Sequence, residues 1–583
     1  MQLLSIFYLI LQLILSVIPG GGLSLDNGVG YEKYPDLYEA SIQELQLGLE
    51  RGYYTSVDLV TVSLETFVEP RLADGAPGQA YLARIDEVNY KGPNLRAVLE
   101  INPHALEQAA ALDLERQREG KRSPLHGIPI LIKDNIAIRG SDGNTTAGSY
   151  ALLGSIVPGD ATVVAKLREA GAILLGKTNL SEWSYFRDFS LDCGWSGRGG
   201  QTTNPYYPGA DPSGSSSGSG VAIAVGLAAA SLGTETDGSI VAPSSYNNLV
   251  GIKPTVGLTS RAGVIPISSH QDSVGPMARS VADAASILSI IAGRDSKDNY
   301  TSTAPVEIPD YTRYLNVNAI KGKRFGVPRA IFTEDSVTGN HPSINVEFYK
   351  ALTIIRSLGG IIVDPADIPS ASRVSREDEI SMLKVDFKVD LNRYLQGLQY
   401  ASINATTLGE IIAYNNAHKD LERPQGYTGQ ALFIDAESTN GYNSTYFDIR
   451  RSNYEIGRDR GIDAALKAHS LDALVLPTNG MTSSIAAIAG YPIVTVPLGF
   501  HPDDITPEPA GPHTVFPAPG IPFGLAFLGT AYSEPSLIGF AYAYEQQTHT
   551  RLGRRAYPSA VPRTQLEHVV NVCSVQNIFT QQG

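Results

Sequence analysis

The sequence predicts an α/β fold built around a largely buried sheet, and three features predict it. Short apolar runs, over 128–132 and in AILLG from Ala172, have the length and character of strands buried on both faces. Stretches with helical spacing of apolar residues alternate with these runs. Two late runs, LDALVLPT at 471–478 and YPIVTVPLG at 491–499, read as strands returning to the same sheet.

The elements follow in order. Residues 36–115 read as mainly helical. Ser41 opens SIQELQLGLERG, where Ile42, Leu45, Leu47 and Leu49 form an apolar face and Gly52 is the stop. Thr55 or Ser56 can cap the next helix, which carries Val57, Leu59, Val60 and Leu64. LHGIPILIKDN then supplies the first buried strand. Asp160 is expected to cap a helix running through Ala170, with Gly171 ending it before AILLG. From about 300 to 460 the sequence turns more polar and helical, and a region of that kind can cover a site and shape substrate choice. His501 to Pro522 is rich in proline and reads as a loop, and the last helix holds Leu537 to Gln547. Neither an internal repeat nor a linker divides the chain.

The 583 residues are 43% hydrophobic and 18% charged, an ordinary globular composition. Fifty-nine acidic against 45 basic residues give a net charge of −14, and no Lys/Arg cluster is present to track a phosphate backbone. Nucleic acid is therefore not an expected partner. Leu3 to Ile18 is almost wholly apolar and is followed by Pro19, Gly20, Gly21 and Gly22, the pattern of a secretory signal peptide over 1–22. The run barely reaches the ~20 residues that span a bilayer, which leaves an uncleaved membrane anchor as the alternative. Five Asn-x-Ser/Thr sequons accord with secretion: Asn144, Asn179, Asn299, Asn404 and Asn443. The first two fall in the expected catalytic region, so the other three are the expected acceptors. The two cysteines, Cys193 and Cys573, admit one disulfide or two buried thiols, but not a Cys-based zinc site.

Three motifs compete for the chemistry. GAILLGKT, residues 171–178, matches the P-loop expression, but Ala172 to Leu175 should form a buried strand where a P-loop needs a flexible anion-binding turn. GSSSG, residues 214–218, contains a G-x-S-x-G elbow with Ser216 as nucleophile. That elbow must follow a strand, and the preceding NPYYPGADPS is too rich in Pro and Gly to be one. The third pattern is a set: Lys133 ending the strand in PILIKDN, Ser215 opening the Gly/Ser loop PSGSSSGSG before a small-residue helix VAIAVGLAAAS, and Ser239 in LGTETDGSI. A lone lysine at a strand end is usually solvated, and a Gly/Ser run is often a linker. Here the run is embedded between apolar segments, where glycine marks close backbone approach or unusual dihedrals.

GIPILIKDN, TTAGS, GKTNLSEW, SGRGGQTTNPY, GSSSGSG, GTETDGSI, VGIKPTVGLTSRAGVIPIS and QDSVGPMARSVADAA together resemble the amidase signature family, in its order. NLSEW, RGGQTTNPY and GTETDGS look closest to its peptide amidase branch. AGYPIVTVPLG, IPFGLAFLG and AYAYEQ resemble its closing segments. The resemblance covers roughly 36–555, leaving 556–583 as a C-terminal tail. It implies one domain with a mixed central sheet covered by helices on both faces and an N-terminal helical segment.

That resemblance also implies an amidase that cleaves a carbon–nitrogen bond, in a non-peptide amide or a C-terminal peptide amide, through a serine acyl-enzyme. Ser239 would be the nucleophile, Ser215 the proton relay after a cis Gly214–Ser215 peptide, and Lys133 the base. Those residue types suit the task, since an alcohol needs a base and a desolvated lysine can be neutral near pH 7. Ser216 would orient the lysine from one shell out. The backbone amides of Thr236, Asp237, Gly238 and Ser239 would form the oxyanion hole. No metal, organic cofactor or protein partner is required. Two departures stand out: Asp237 precedes Gly238 where the common family loop has two glycines, and IVAPSSYNNLVG after Ser239 is more polar than usual. Asp272 is expected to be a structural acid. The competing readings are a catalytically silent ligand-binding relative, a transamidase subunit, and a membrane-anchored fatty-acid amide hydrolase.

Overall fold

The computed structural model describes residues 32–60 and 80–570. The expected leader, Leu64 and Cys573 lie outside the described residues. The described residues from Tyr34 onward form one compact unit.

The strands are β1 (Val98–Ile101), β2 (Pro129–Lys133), β3 (Ile173–Thr178), β4 (Trp195–Ser196), β5 (Gly200–Gln201), β6 (Ala230–Glu235), β7 (Val250–Lys253), β8 (Ser273–Ala278), β9 (Arg324–Gly326), β10 (Ile361–Val363), β11 (Ala473–Pro477), β12 (Ile493–Phe500) and β13 (Pro522–Leu528). All but β4 and β5, which pair with each other, join one 11-stranded sheet in the order β1-β3-β2-β6-β8-β7-β12-β13-β11-β9-β10. The sheet is mixed. β2 runs parallel to both β3 and β6, while β6–β8–β7–β12–β13–β11 is antiparallel throughout.

Both faces of this sheet are covered, and the side-chain alternation shows it. In β13, Phe523, Leu525 and Phe527 enter one apolar core, while Ala526 and Leu528 enter a second. β11 divides the same way, with Ala473 and Val475 in the first core and Leu474 and Leu476 in the second. The apolar runs carry no polar alternation because neither face meets water. β2, β3 and β6 are buried at every position.

The helices used below are α1 (Ile42–Glu50), α2 (Thr162–Glu169), α3 (Ser217–Ala224), α4 (Val281–Ile291), α5 (Ser343–Ser357), α6 (Arg376–Gln396), α7 (Ser444–Gly457) and α8 (Glu534–Thr548). α1 begins as expected: Ser41 Oγ accepts from Glu44 N at 3.1 Å, and the Glu44 carboxylate accepts from Ser41 N at 2.8 Å. Thr55 takes the same part for the short helix after it, accepting from Asp58 N at 3.1 Å.

Two expectations need correction. Asp160 does not cap α2, whose N-cap is Ala161. Its carboxylate accepts instead from Arg139 N, outside the helix, at 2.8 Å and from Arg168 Nε, in the last turn of α2, at 2.9 Å, so these two donors displace the helix end. VAIAVGLAAAS is not one helix. α3 stops at Ala224, and Ala230 already belongs to β6, because the run must turn to reach the centre of the sheet.

α3 is buried along its whole length, and Gly218 explains how it enters. A Cβ there would lie 2.1 Å from Ala97 O and 2.6–2.7 Å from the Asn179 backbone, and Gly218 N donates to Asn179 O at 3.0 Å. Only glycine allows the serine-rich loop to press onto the strand ends.

The 376–457 region folds over one side of the molecule as α6, α7 and shorter helices with their own apolar core, including Leu383, Phe387, Leu391, Phe433 and Tyr446. Buried Arg187 ties it down, donating to Gly429 O at 2.9 Å, Glu422 O at 2.7 Å and Tyr427 O at 2.6 Å. At the far end Leu566 and Val569 pack into the main core, and Gln565 Nε2 donates to Asp36 at 2.7 Å.

Two substitutions separate local from general packing. Leu232→Ala, in the middle of β6, should destabilise by about 2–5 kcal/mol in urea denaturation. Gly218→Ala should cost about 1–3 kcal/mol through overpacking, yet reduce amide hydrolysis more than Leu232→Ala does, because it moves the serine loop.

Candidate active site

Lys133 ends β2 and is fully buried. Its neighbour in the sheet is β6, in register with Ile132 opposite Leu232, which brings Thr234 beside the amine. Lys133 Nζ lies 2.8 Å from Ser215 Oγ, 2.9 Å from Thr234 Oγ1 and 3.3 Å from Thr234 O. No carboxylate forms an ion pair with it among the described residues. Burial pushes its pKa well below the ordinary lysine value, against the more distant pull of Asp272 and Glu235.

The peptide between Gly214 and Ser215 is cis. Ser215 is buried, and its carbonyl accepts from Ser181 N at 3.0 Å. Ser216 N donates to Ser239 O at 3.3 Å, so the serine loop and the segment after β6 are joined through backbone. Ser216 does not touch the lysine directly. Its hydroxyl donates to Thr234 O at 3.2 Å and accepts from Thr234 N at 3.3 Å, reaching Lys133 through that threonine. Thr234 is thus the residue that sequence reasoning missed. It also accepts from Asn135 Nδ2 at 3.0 Å. Only the pairing of β2 with β6, invisible in one sequence, puts it there.

After β6 the chain turns through Thr236, Asp237, Gly238 and Ser239. Gly238 adopts a φ of +82°, a conformation that glycine takes without penalty. Glu235 caps the next turn by accepting from Ile240 N at 2.7 Å and Val241 N at 2.9 Å. The amides of Asp237, Gly238 and Ser239 find no protein acceptor among the described residues. Ser239 is 9% exposed and opens onto a cavity of about 100 Å³, walled by Tyr185, Phe186, Phe189, Ile380 and Leu383 and by the polar Asp237 and Glu379. Asp272 is buried and accepts from Thr236 Oγ1 at 2.6 Å, Ile267 N at 2.9 Å and Ser268 N at 3.0 Å. It braces the turn, and burial raises its pKa to about 6.

The rival motifs fall apart in three dimensions. GAILLGKT is β3 and its approach, with Lys177 buried and donating to Ile136 O. Ser216 follows a loop instead of a strand. Among the described residues, no cluster of three or more His, Cys, Asp or Glu side chains is placed to hold a metal ion. Of the sequons, Asn179 is fully buried and Asn144 donates to Glu100 at 2.9 Å, while Asn299, Asn404 and Asn443 are exposed.

A family model described as Amidase matches residues 79–538. A putative amidase of Arthroderma benhamiae is 44% identical over 524 residues, covering 89% of this chain and 87% of that protein. A probable amidase of Arabidopsis thaliana is 41% identical over 493 residues, covering 83% and 89% respectively. Among solved structures, native peptide amidase from Stenotrophomonas maltophilia superposes with a TM-score of 0.77 at 43% identity, over 89% of this chain and 98% of that one. The chain belongs to the amidase signature family, whose members hydrolyse amide bonds.

Proposed function

We propose that this amidase cleaves a non-peptide or C-terminal peptide amide through an acyl-enzyme on Ser239, with Ser215 as proton relay and Lys133 as terminal base. The observation that carries this reading is the buried amine of Lys133, 2.8 Å from Ser215 Oγ and without an ion-pair partner among the described residues. A neutral amine has two hydrogens and one lone pair. The carbonyl and hydroxyl of Thr234 suit the two hydrogens, and the Ser215 hydroxyl suits the lone pair.

In this reading Ser239 Oγ attacks the amide carbon while its proton passes to Ser215 and the Ser215 proton to Lys133. The carbonyl oxygen becomes an oxyanion facing the amides of Thr236, Asp237, Gly238 and Ser239. Collapse breaks the carbon–nitrogen bond, and the same relay returns a proton to the departing amine or ammonia. Water, deprotonated by the relay, then attacks the ester carbon and frees Ser239 and the carboxylic acid. The similarity to a peptide amidase favours a peptide C-terminal amide, and the aromatic cavity wall suits an apolar acyl group. Residues 1–22 are read as a leader that exports the enzyme, with Asn299, Asn404 and Asn443 as exposed acceptors for glycans.

Hydrolysis of a panel of amides, followed by release of amine or ammonia, tests the assignment. Ser239→Ala and Lys133→Ala should each lower kcat by at least a thousandfold. Retention of activity in Ser239→Ala would remove the nucleophile assignment and make Ser216 the residue to examine. The lysine must be neutral to act, so kcat/KM should fall as pH drops through its depressed pKa, and a pH profile reads this acidic limb. Sequencing the N-terminus of the enzyme expressed in a secretory host should show cleavage near Gly22, whereas a retained leader would support the anchored form.

A further inference from the structure

The cavity at Ser239 holds a contact that the mechanism above leaves unused. Glu379, on α6, is 3% exposed and lines the same cavity as Asp237 and Ser239. Its carboxyl and that of Asp237 line one cavity wall, and the Asp237 side chain acts on the Glu379 carboxyl both by charge and as a hydrogen-bond partner. Glu379 Oε1 accepts from Gln271 Nε2 at 2.7 Å, and the same Nε2 lies 3.4 Å from Thr236 O. Asp237 Oδ2 accepts from Ser484 Oγ at 2.9 Å, but Asp237 Oδ1 is buried and has no hydrogen donor.

Two ionised carboxylates are both acceptors, so neither can supply the hydrogen that such a contact needs. Their like charges also oppose joint ionisation in a buried setting. One proton on the pair removes both problems and gives Asp237 its missing donor. Burial, then the charge of Asp237, push Glu379 well above the usual carboxylate range. The other groups bearing on the pair are Gln271 and Arg376, which favour ionised Glu379, and Glu235 and Lys253 on the far side of Asp237.

We propose that Glu379 is a positioning residue that keeps its proton and hydrogen-bonds through it to the Asp237 carboxylate, fixing the 235–239 segment that presents Ser239. The inference rests on the reading of Ser239 as nucleophile. Asp237 stands where the common family loop has glycine, so the lock between α6 and the nucleophile turn is available to chains with this acid. Loss of the proton to solvent at high pH sets two carboxylates against each other and loosens the turn.

The test compares wild type, E379Q and E379A as full-length proteins, by melting temperature against pH and by kcat and KM. An acid whose pKa is raised on folding stabilises fully below its unfolded value, about 4.3. That stability is lost as pH rises toward the folded value. The contribution of Glu379 to the wild-type melting temperature should therefore shrink with rising pH. E379Q, which keeps an N–H for Asp237 but cannot ionise, should gain on wild type steadily across that range. E379A should lose at least tenfold in kcat with a smaller change in KM, and E379Q should recover most of that loss. Parallel melting curves for wild type and E379Q, or full kcat in E379A, would overturn the proposal. A change in KM alone would assign Glu379 to substrate contact and overturn it too. The melting comparison needs no turnover, so it stands or falls separately from the Ser239→Ala result, and it carries the test if E379A does not fold.

Discussion

A primary amine buried at the end of an interior strand, with hydroxyls and a carbonyl around it instead of a carboxylate, is the constraint on which the rest of this molecule turns. Burying an ammonium ion costs several kcal/mol, and a nearby carboxylate would ordinarily offset that. Here the two acids whose charges act on it, Asp272 and Glu235, direct their hydrogen bonds to backbone amides and to Thr236 instead of to the amine. The amine is therefore supported as a neutral group. That requires a rigid surround, since any water entering beside Lys133 would restore its charge. Full burial of β2, β3, β6 and α3 provides it.

The architecture supplies this environment by economical means. Lys133 and the turn carrying Ser239 follow neighbouring parallel strands, β2 and β6, so both emerge at the same edge of the sheet. The serine loop is brought to that edge by α3, whose close seating on Asn179 depends on Gly218. The antiparallel remainder of the sheet contributes little side-chain chemistry. Its β8 nonetheless follows directly on Asp272, the acid that braces the nucleophile turn.

Much of this was legible in the sequence, and the reasons for success and failure are physical. Ser41 with Glu44 announces a helix start because the signal is local, three residues wide. The buried strands announce themselves by unbroken apolar character. Lys133, Ser215 and Ser239 are singled out by ordered motifs, which a single residue could not supply, and the fold brings Lys133 within 2.8 Å of Ser215. Thr234 and Glu379 were not found. Thr234 matters through strand pairing and Glu379 through docking of α6, and neither contact leaves a trace in spacing along the chain. Asp160 misled because an aspartate before a helix has the right chemistry for a cap, while its carboxylate is taken by the Arg139 amide, brought in by folding, and by Arg168 at the other end of the same helix. The small-residue run after Ser216 misled for a related reason: alanine permits helix, turn or strand, and the sheet decided.

The burial of Lys133 also bears on the life of the chain before it is folded. A lysine in a solvated polypeptide has a pKa near 10.4 and is protonated at neutral pH. The unfolded chain thus holds no base at this position, and Ser239 is an ordinary alcohol. On the proposed mechanism, reactivity appears only when β2 and β6 have paired and α3 has closed over them. On that mechanism, synthesis and any transport of the unfolded polypeptide proceed with a chemically silent chain, which becomes hazardous to neighbouring amides only once its own architecture is complete.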